Sequence, residues 1–159
     1  MRSKVRQLIR TVAIFLLAGS LGACQEDFSI VHRSCAVESK GWENGVKPAF
    51  LVTDLAREGK YALSVEARLG RDYPYKDLWL AVETRMNGEV LADDTVCLTV
   101  VNDRGEMPGT GRNLLEYAKG VRTLEATPMD TLDFCIRHVM SEKSIPGVHD
   151  VGIKLVPEN

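Results

Sequence analysis

An antiparallel β-sandwich, of immunoglobulin-like or jelly-roll type, is the fold class this sequence predicts, and three observations predict it. From residue 24 onward, apolar and polar residues alternate with a period of two, the mark of strands with one wet and one dry face. Asn87-Gly88 stands between two such runs, and the tolerance of both residues for positive φ suits a two-residue hairpin turn. No long stretch repeats its apolar residues at helical spacing. The length of 159 residues fits one domain, large enough to bury a real core.

The elements follow in chain order. A strand is predicted within 46–54, bounded by Gly45 and Asp54. Residues 60–69 place Tyr61, Leu63, Val65, Ala67 and Leu69 on one face, with Ala62, Ser64, Glu66 and Arg68 on the other. Residues 78–86 alternate Leu78, Leu80 and Val82 against Trp79, Ala81, Glu83 and Arg85, then reach the Asn-Gly turn. The partner strand, 90–101, turns Val96, Leu98 and Val100 inward and Thr95, Cys97 and Thr99 outward. Further strands are predicted at 121–126, 129–139 and 148–156, each bounded by Gly, Pro, Asn or Asp. Residues 114–119 have room for one helical turn, which Gly111 and Gly120 limit.

The loop 102–113 holds three glycines, but no helix opens from it and no Lys-Ser/Thr follows, so it is not a phosphate cradle. Adjacent acids Asp93 and Asp94 read as a solvated strand start.

The net charge of −2 conceals an asymmetry. Residues 1–23 contain Arg2, Lys4, Arg6 and Arg10 and no acid; taking those four from the 20 Lys and Arg, against 22 Asp and Glu, leaves the rest at net −6. A basic start, the apolar run 11–18 and the small residues of 19–23 make the three-part layout of a secretory signal peptide, too short to span a membrane. A net charge so near zero argues against a nucleic-acid binder.

Leu21-Gly22-Ala23-Cys24 resembles a bacterial lipobox, which implies diacylglyceryl transfer to the Cys24 thiol, cleavage before it, and acylation of the new amino terminus. Several acyl chains hold a protein to a bilayer durably where one does not. Gln25 after the cysteine lacks the usual inner-membrane retention signal, which favours the outer membrane, and Glu26-Asp27 looks like the short acidic tract of surface-exported lipoproteins. The face of that membrane stays open. The expected organisation is a signal peptide over 1–23, a lipidated cysteine and tether over 24–40, and a β-sandwich over 41–159.

Chemistry has thin material. His32-x-x-Cys35 with Cys135-x-x-His138 supplies the ligand types of a Cys2His2 zinc site. On a strand, however, Cys135 and His138 point to opposite faces, and an exported protein meets an oxidising compartment. No metal or cofactor is therefore expected, and no acid, base and nucleophile cluster suggests an enzyme. With Cys24 lipidated, one disulfide among Cys35, Cys97 and Cys135 is possible in three ways. Cys97 and Cys135 share the polar phase of their strands and would be the pair if those strands are neighbours; three free thiols are the alternative.

Residues 71–80 (RDYPYKDLWL) resemble the signature of the GldH family of gliding-motility lipoproteins. The resemblance continues through Trp42, Asp54, Tyr61, Asp94-Thr95-Val96-Cys97, the glycine-rich loop and 145–153 (IPGVHDVGI). Lys76-Asp77 replaces the usual small residue and Asn, Met107 stands near a usual aromatic, and Cys135 is unusual. The resemblance implies an outer-membrane lipoprotein linked to the gliding and type IX secretion apparatus, with cell-envelope protein partners and no established biochemical activity. In the signature, Tyr73, Pro74, Tyr75 and Trp79 either lid one end of the sandwich or form a partner surface, the latter suiting a module that binds glycan or peptide.

Cys24→Ser is expected to leave an uncleaved precursor on immunoblots of whole cells. Recovery of mature wild-type protein in a detergent-free soluble fraction contradicts the anchor.

Overall fold

Alternation of buried and exposed side chains carries through to the backbone in a computed structural model, which describes residues 30–38 and 40–158. The expected signal peptide, Cys24 and Glu26-Asp27 lie outside the described residues. Among the described residues, ten strands follow in order: β1 (Val31–Ala36), β2 (Trp42–Glu43), β3 (Ala49–Val52), β4 (Gly59–Gly70), β5 (Asp77–Met86), β6 (Glu89–Thr99), β7 (Leu114–Ala126), β8 (Leu132–His138), β9 (Ser144–Ile145) and β10 (Val148–Pro157). They form two four-stranded antiparallel sheets, β1-β10-β4-β7 and β3-β8-β5-β6, with β2-β9 as a small third sheet. The fold is the predicted all-β sandwich.

The core lies between the two large sheets. Tyr61, Leu63, Val65, Ala67 and Leu69 of β4 are all buried, as are Leu78, Leu80 and Val82 of β5 and Leu132, Phe134 and Ile136 of β8. Burying each large apolar side chain contributes about 1.5–3 kcal/mol. The Asn-Gly turn forms as expected, with Asn87 at φ 53° and Gly88 at φ 88°, and Met86 opposite Glu89.

Three sequence expectations are corrected. The folded unit does not begin at residue 41: β1 pairs with β10 from Val31↔Leu155 to Ala36↔Asp150, so residues assigned to the tether are an edge strand. Residues 114–119 are not helical but open a 13-residue strand. A bulge explains why that strand is hard to read, because Leu63 faces Arg122 while Ser64 faces Gly120, leaving Val121 as the extra residue. The buried positions therefore switch from odd (Leu115, Tyr117) to even (Leu124, Ala126). Finally, Asp93 and Asp94 are partnered. Asp93 accepts from both terminal nitrogens of Arg137 at 3.1 and 2.7 Å, and Asp94 lies 2.8 Å from Arg122 Nε on the neighbouring sheet.

Because the strands run from end to end, their connections gather at two poles. The signature end carries 71–76, the glycine-rich loop and the β2–β9 sheet; the hairpin end carries 53–58, Asn87-Gly88, 127–131 and residue 158. Under the signature end, Trp42 is fully buried and donates from Nε1 to Val46 O at 2.8 Å. His138, 1% exposed, meets it edge-to-face at 5.3 Å. Neither His138 nitrogen makes a hydrogen bond of good geometry among the described residues, although the Trp42 backbone lies near enough to favour the protonated ring, an effect that burial outweighs.

Burial pushes the His138 imidazole below its usual range, despite Glu142 and Glu43 nearby. The folded protein holds the ring neutral, so the unfolded chain takes up a proton that the fold resists once pH drops below about 6.5. Stability is therefore expected to hold above that pH and to fall as pH falls through the depressed folded value. Urea titrations between pH 8 and pH 4 check this, with His138→Phe expected to flatten the acid-side loss; an identical pH profile in the variant contradicts it.

Candidate functional site

At the signature end, two sequence blocks far apart in the chain lock together. Gly70 N–H donates to Gly147 O at 2.8 Å, and Gly147 adopts φ +78° directly beneath Tyr73. A Cβ there would lie 2.9 Å from Tyr73 Cα, so only glycine lets the backbones approach this closely. Tyr73 is buried and its hydroxyl donates to Asp77 O at 3.0 Å. Tyr75 packs edge-on to it with ring centres 5.5 Å apart. Burial pushes the Tyr73 phenol above its ordinary range, which keeps it a neutral donor.

The glycine-rich loop is pinned to this block. Lys76 O accepts from Val100 N and Val101 N, both at 2.9 Å. Lys76 Nζ meets Asp103 at 2.9 Å, which holds the Asp103 carboxyl below its usual range. Arg71 Nε donates to Arg112 O at 3.1 Å. Inside the loop, Asn102 Oδ1 accepts from Arg104 N and Glu106 N at 2.9 and 3.0 Å, an Asx turn rather than an anion cradle. Gly109 lies against the Tyr117 ring, whose hydroxyl reaches Val100 O at 3.0 Å.

Trp79 differs from the tyrosines. It projects from the outer face of the β3-β8-β5-β6 sheet with 45% of its surface exposed. Its backbone is fixed by Val139 N–H to Trp79 O at 3.0 Å and by its own N–H to Met140 Sδ at 3.4 Å. The four residues singled out in the signature thus divide: Tyr73 lids the core, Tyr75 is half-buried over it, Pro74 is exposed in the connection, and Trp79 is presented to solvent.

The other sequence candidates are not brought together. Cys97 and Cys135 are free, and β5 lies between their strands. Cys97 faces Trp79 whereas Cys135 faces Glu83. Two strand spacings of about 10 Å and a four-residue offset of about 13 Å separate them, beyond the roughly 4.4–6.8 Å between Cα atoms that a disulfide needs. The expected pairing is corrected on that ground. Burial raises all three thiols above their usual range. His32 and Cys35 lie on β1 in one sheet, Cys135 and His138 on β8 in the other. Among the described residues, no three His, Cys, Asp or Glu side chains gather to hold a metal.

One feature escapes sequence reading altogether. On the outer face of the β1-β10-β4-β7 sheet, a groove of about 200 Å³ is lined by His32, Ser34, Glu66, Arg68, Glu116 and Asp150, among others. His32 Nε2 lies 2.8 Å from Glu66, and Arg68 lies 2.8 Å from Asp150. Only the register across four strands assembles it, with Ser34 beside Gly152 and Gly152 beside Glu66.

The model of the family described as GldH lipoprotein matches residues 29–155, so the match takes in β1 and both interlocked blocks. The chain belongs to the GldH lipoprotein family. Membership makes it a gliding-motility-associated lipoprotein, of a family held to membranes by lipid. No curated protein matches it. Among solved structures, a family 35 carbohydrate-binding module from Clostridium thermocellum is similar at 9% identity and TM-score 0.39, over 81% of this chain and 92% of that one. A CBM35 from Cellvibrio japonicus Abf62 gives 10% identity and TM-score 0.40, over 82% and 99%. A β-glucosidase from Paenibacillus barengoltzii gives 18% identity and TM-score 0.37, with 78% of this chain covering only 10% of that enzyme. Likeness this distant has no bearing on function in this GldH family member.

Gly147→Ala is expected to lower stability by roughly 1–3 kcal/mol, because it adds left-handed backbone strain to a close contact. Gly45→Ala, with nothing within 4 Å of the new Cβ, is expected to stay within about 0.5 kcal/mol of wild type. Urea denaturation of both variants checks the difference.

Proposed function

We propose that this GldH family member is anchored in the outer membrane by lipid on Cys24. There it acts without catalysis, as a component or adaptor of the envelope assembly associated with gliding motility and type IX secretion. The observation that carries the reading is the interlocked signature end. Tyr73 over Gly147, Lys76 on Asp103 and Arg71 on Arg112 O turn three loops into one preorganised surface. A preformed loop surface on a rigid sandwich suits recognition, since little order must be gained on binding.

A second reading, a binding module for glycan or peptide, is favoured by Trp79, whose exposed ring on a rigid central strand suits stacking on a sugar or a side chain.

Affinity purification from detergent-solubilised envelopes tests the two. The adaptor reading expects stable co-purification with other envelope proteins, reduced about tenfold or more by combined Tyr75→Ala and Lys76→Ala, a loss of more than ~1.4 kcal/mol. A clean monomer that binds sugar, with binding abolished by Trp79→Ala, contradicts it and supports the second reading.

A further inference from the structure

We propose that the hairpin end of the sandwich is its membrane-facing end, seated on the lipid surface through Ile30, Leu51, Val90, Leu91 and Met129. The inference rests on the reading of Cys24 as the lipid-bearing residue and adds an orientation to it.

The path of the chain supplies the first argument. β1 runs from the hairpin end towards the signature end, since Val31 faces Leu155 and Ala36 faces Asp150, while Pro157 faces Tyr61 near the start of β4. Residues before Ile30 therefore join the domain from the hairpin side. Six residue steps from Cys24 to Ile30 span at most about 20 Å. The 12 residues of β4 extend about 40 Å. An anchor on so short a lead reaches the near end of the molecule and not the far one.

Exposed apolar side chains supply the second. Met129 is 93% exposed, Leu51 62% and Val90 58%, with Ile30 and Leu91 also open to solvent. Register places them towards the hairpin end: Leu51 faces Asp133, Asp133 faces Arg85, and Arg85 faces Val90. Met129 sits at the tip of the 127–130 turn after Pro128. Of the eight large apolar side chains exposed among the described residues, these five, including the three most exposed, lie towards the hairpin end, against Val46, Trp79 and Val139 towards the other; exposed apolar surface gathered in this way marks a contact surface.

That tip is built to hold its methionine outward. The Asp130 carboxylate accepts from Thr127 N at 2.8 Å, Thr127 Oγ1 at 2.9 Å and Asn87 Nδ2 at 2.8 Å. Thr131 N donates to Asn87 Oδ1 at 2.9 Å. The Pro128-Met129 turn and the Asn87-Gly88 hairpin are thereby locked side by side, with Val90 and Leu91 just beyond the hairpin. Charge excludes a different mode of attachment. Arg57, Lys60 and Arg85 are interspersed with Glu58, Glu89, Glu125, Asp130 and Glu158, so among the described residues this end has no basic cluster to draw it to anionic lipid. Acyl chains supply the affinity, and apolar contact sets the orientation.

The test uses the full lipidated protein in phosphatidylcholine vesicles containing nitroxide-labelled lipid. Met129→Trp is compared with Val46→Trp towards the opposite end, each corrected for the native tryptophans through the wild type. Apolar side chains seated in the headgroup region are expected to make quenching at Met129→Trp about twofold or more greater, at low and high salt alike. Vesicle flotation with equal quenching at the two positions, or more at Val46→Trp, overturns the orientation while leaving the anchor standing. Wild-type protein that does not float with vesicles overturns both. Shielding of Met129→Trp from aqueous iodide without lipid quenching places a second copy of the protein on this end and overturns the lipid contact.

Discussion

Two inward faces, on β4 and on β5 with β8, must meet without water between them, and this constraint organises the rest of the molecule. The β4 face from Tyr61 to Leu69 and the opposing Leu78, Leu80, Val82, Phe134 and Ile136 are fully or almost fully buried. A shift of one residue in either sheet would turn each set to solvent, so register is tightly specified. Once the strands are aligned pole to pole, the connections have only two places to go. Segregation of the loops into a signature end and a hairpin end follows from core packing.

Much of this was legible in the sequence, wherever one strand carried one uninterrupted phase. The runs that became β4 and β5 and the Asn87-Gly88 turn were readable for that reason. The unread parts each have a physical cause. β1 is an edge strand whose inward phase includes Arg33, which reaches Asp54 at 2.7 Å, so its apolar period is broken by a charge. β7 changes phase at its bulge. β2 and β9 are two residues each, too short to show any period. Strand order is not written in any single strand, which is why Cys97 and Cys135 looked pairable and the groove around Glu66 was invisible.

The signature residues combine two tasks that pattern alone does not separate. Tyr73 and Gly147 are matched parts of one close contact, and their spacing in the chain reflects packing. Trp79 lies six residues from Tyr73 yet has the opposite environment, because it alternates out of the core between Leu78 and Leu80. Packing alone accounts for Tyr73; it does not account for Trp79. On the proposed reading, one pole and the face beside it recognise other envelope components while the opposite pole sits on lipid.

Backbone hydrogen exchange on the lipid-anchored protein tests this two-pole account most directly, measured on vesicles alone and in the isolated envelope assembly. The account predicts that vesicles protect 87–91 and 127–131, and that assembly adds protection at 71–76, 102–113 and 144–149. Protection by vesicles at the signature loops, or by assembly at the hairpin end, would contradict it.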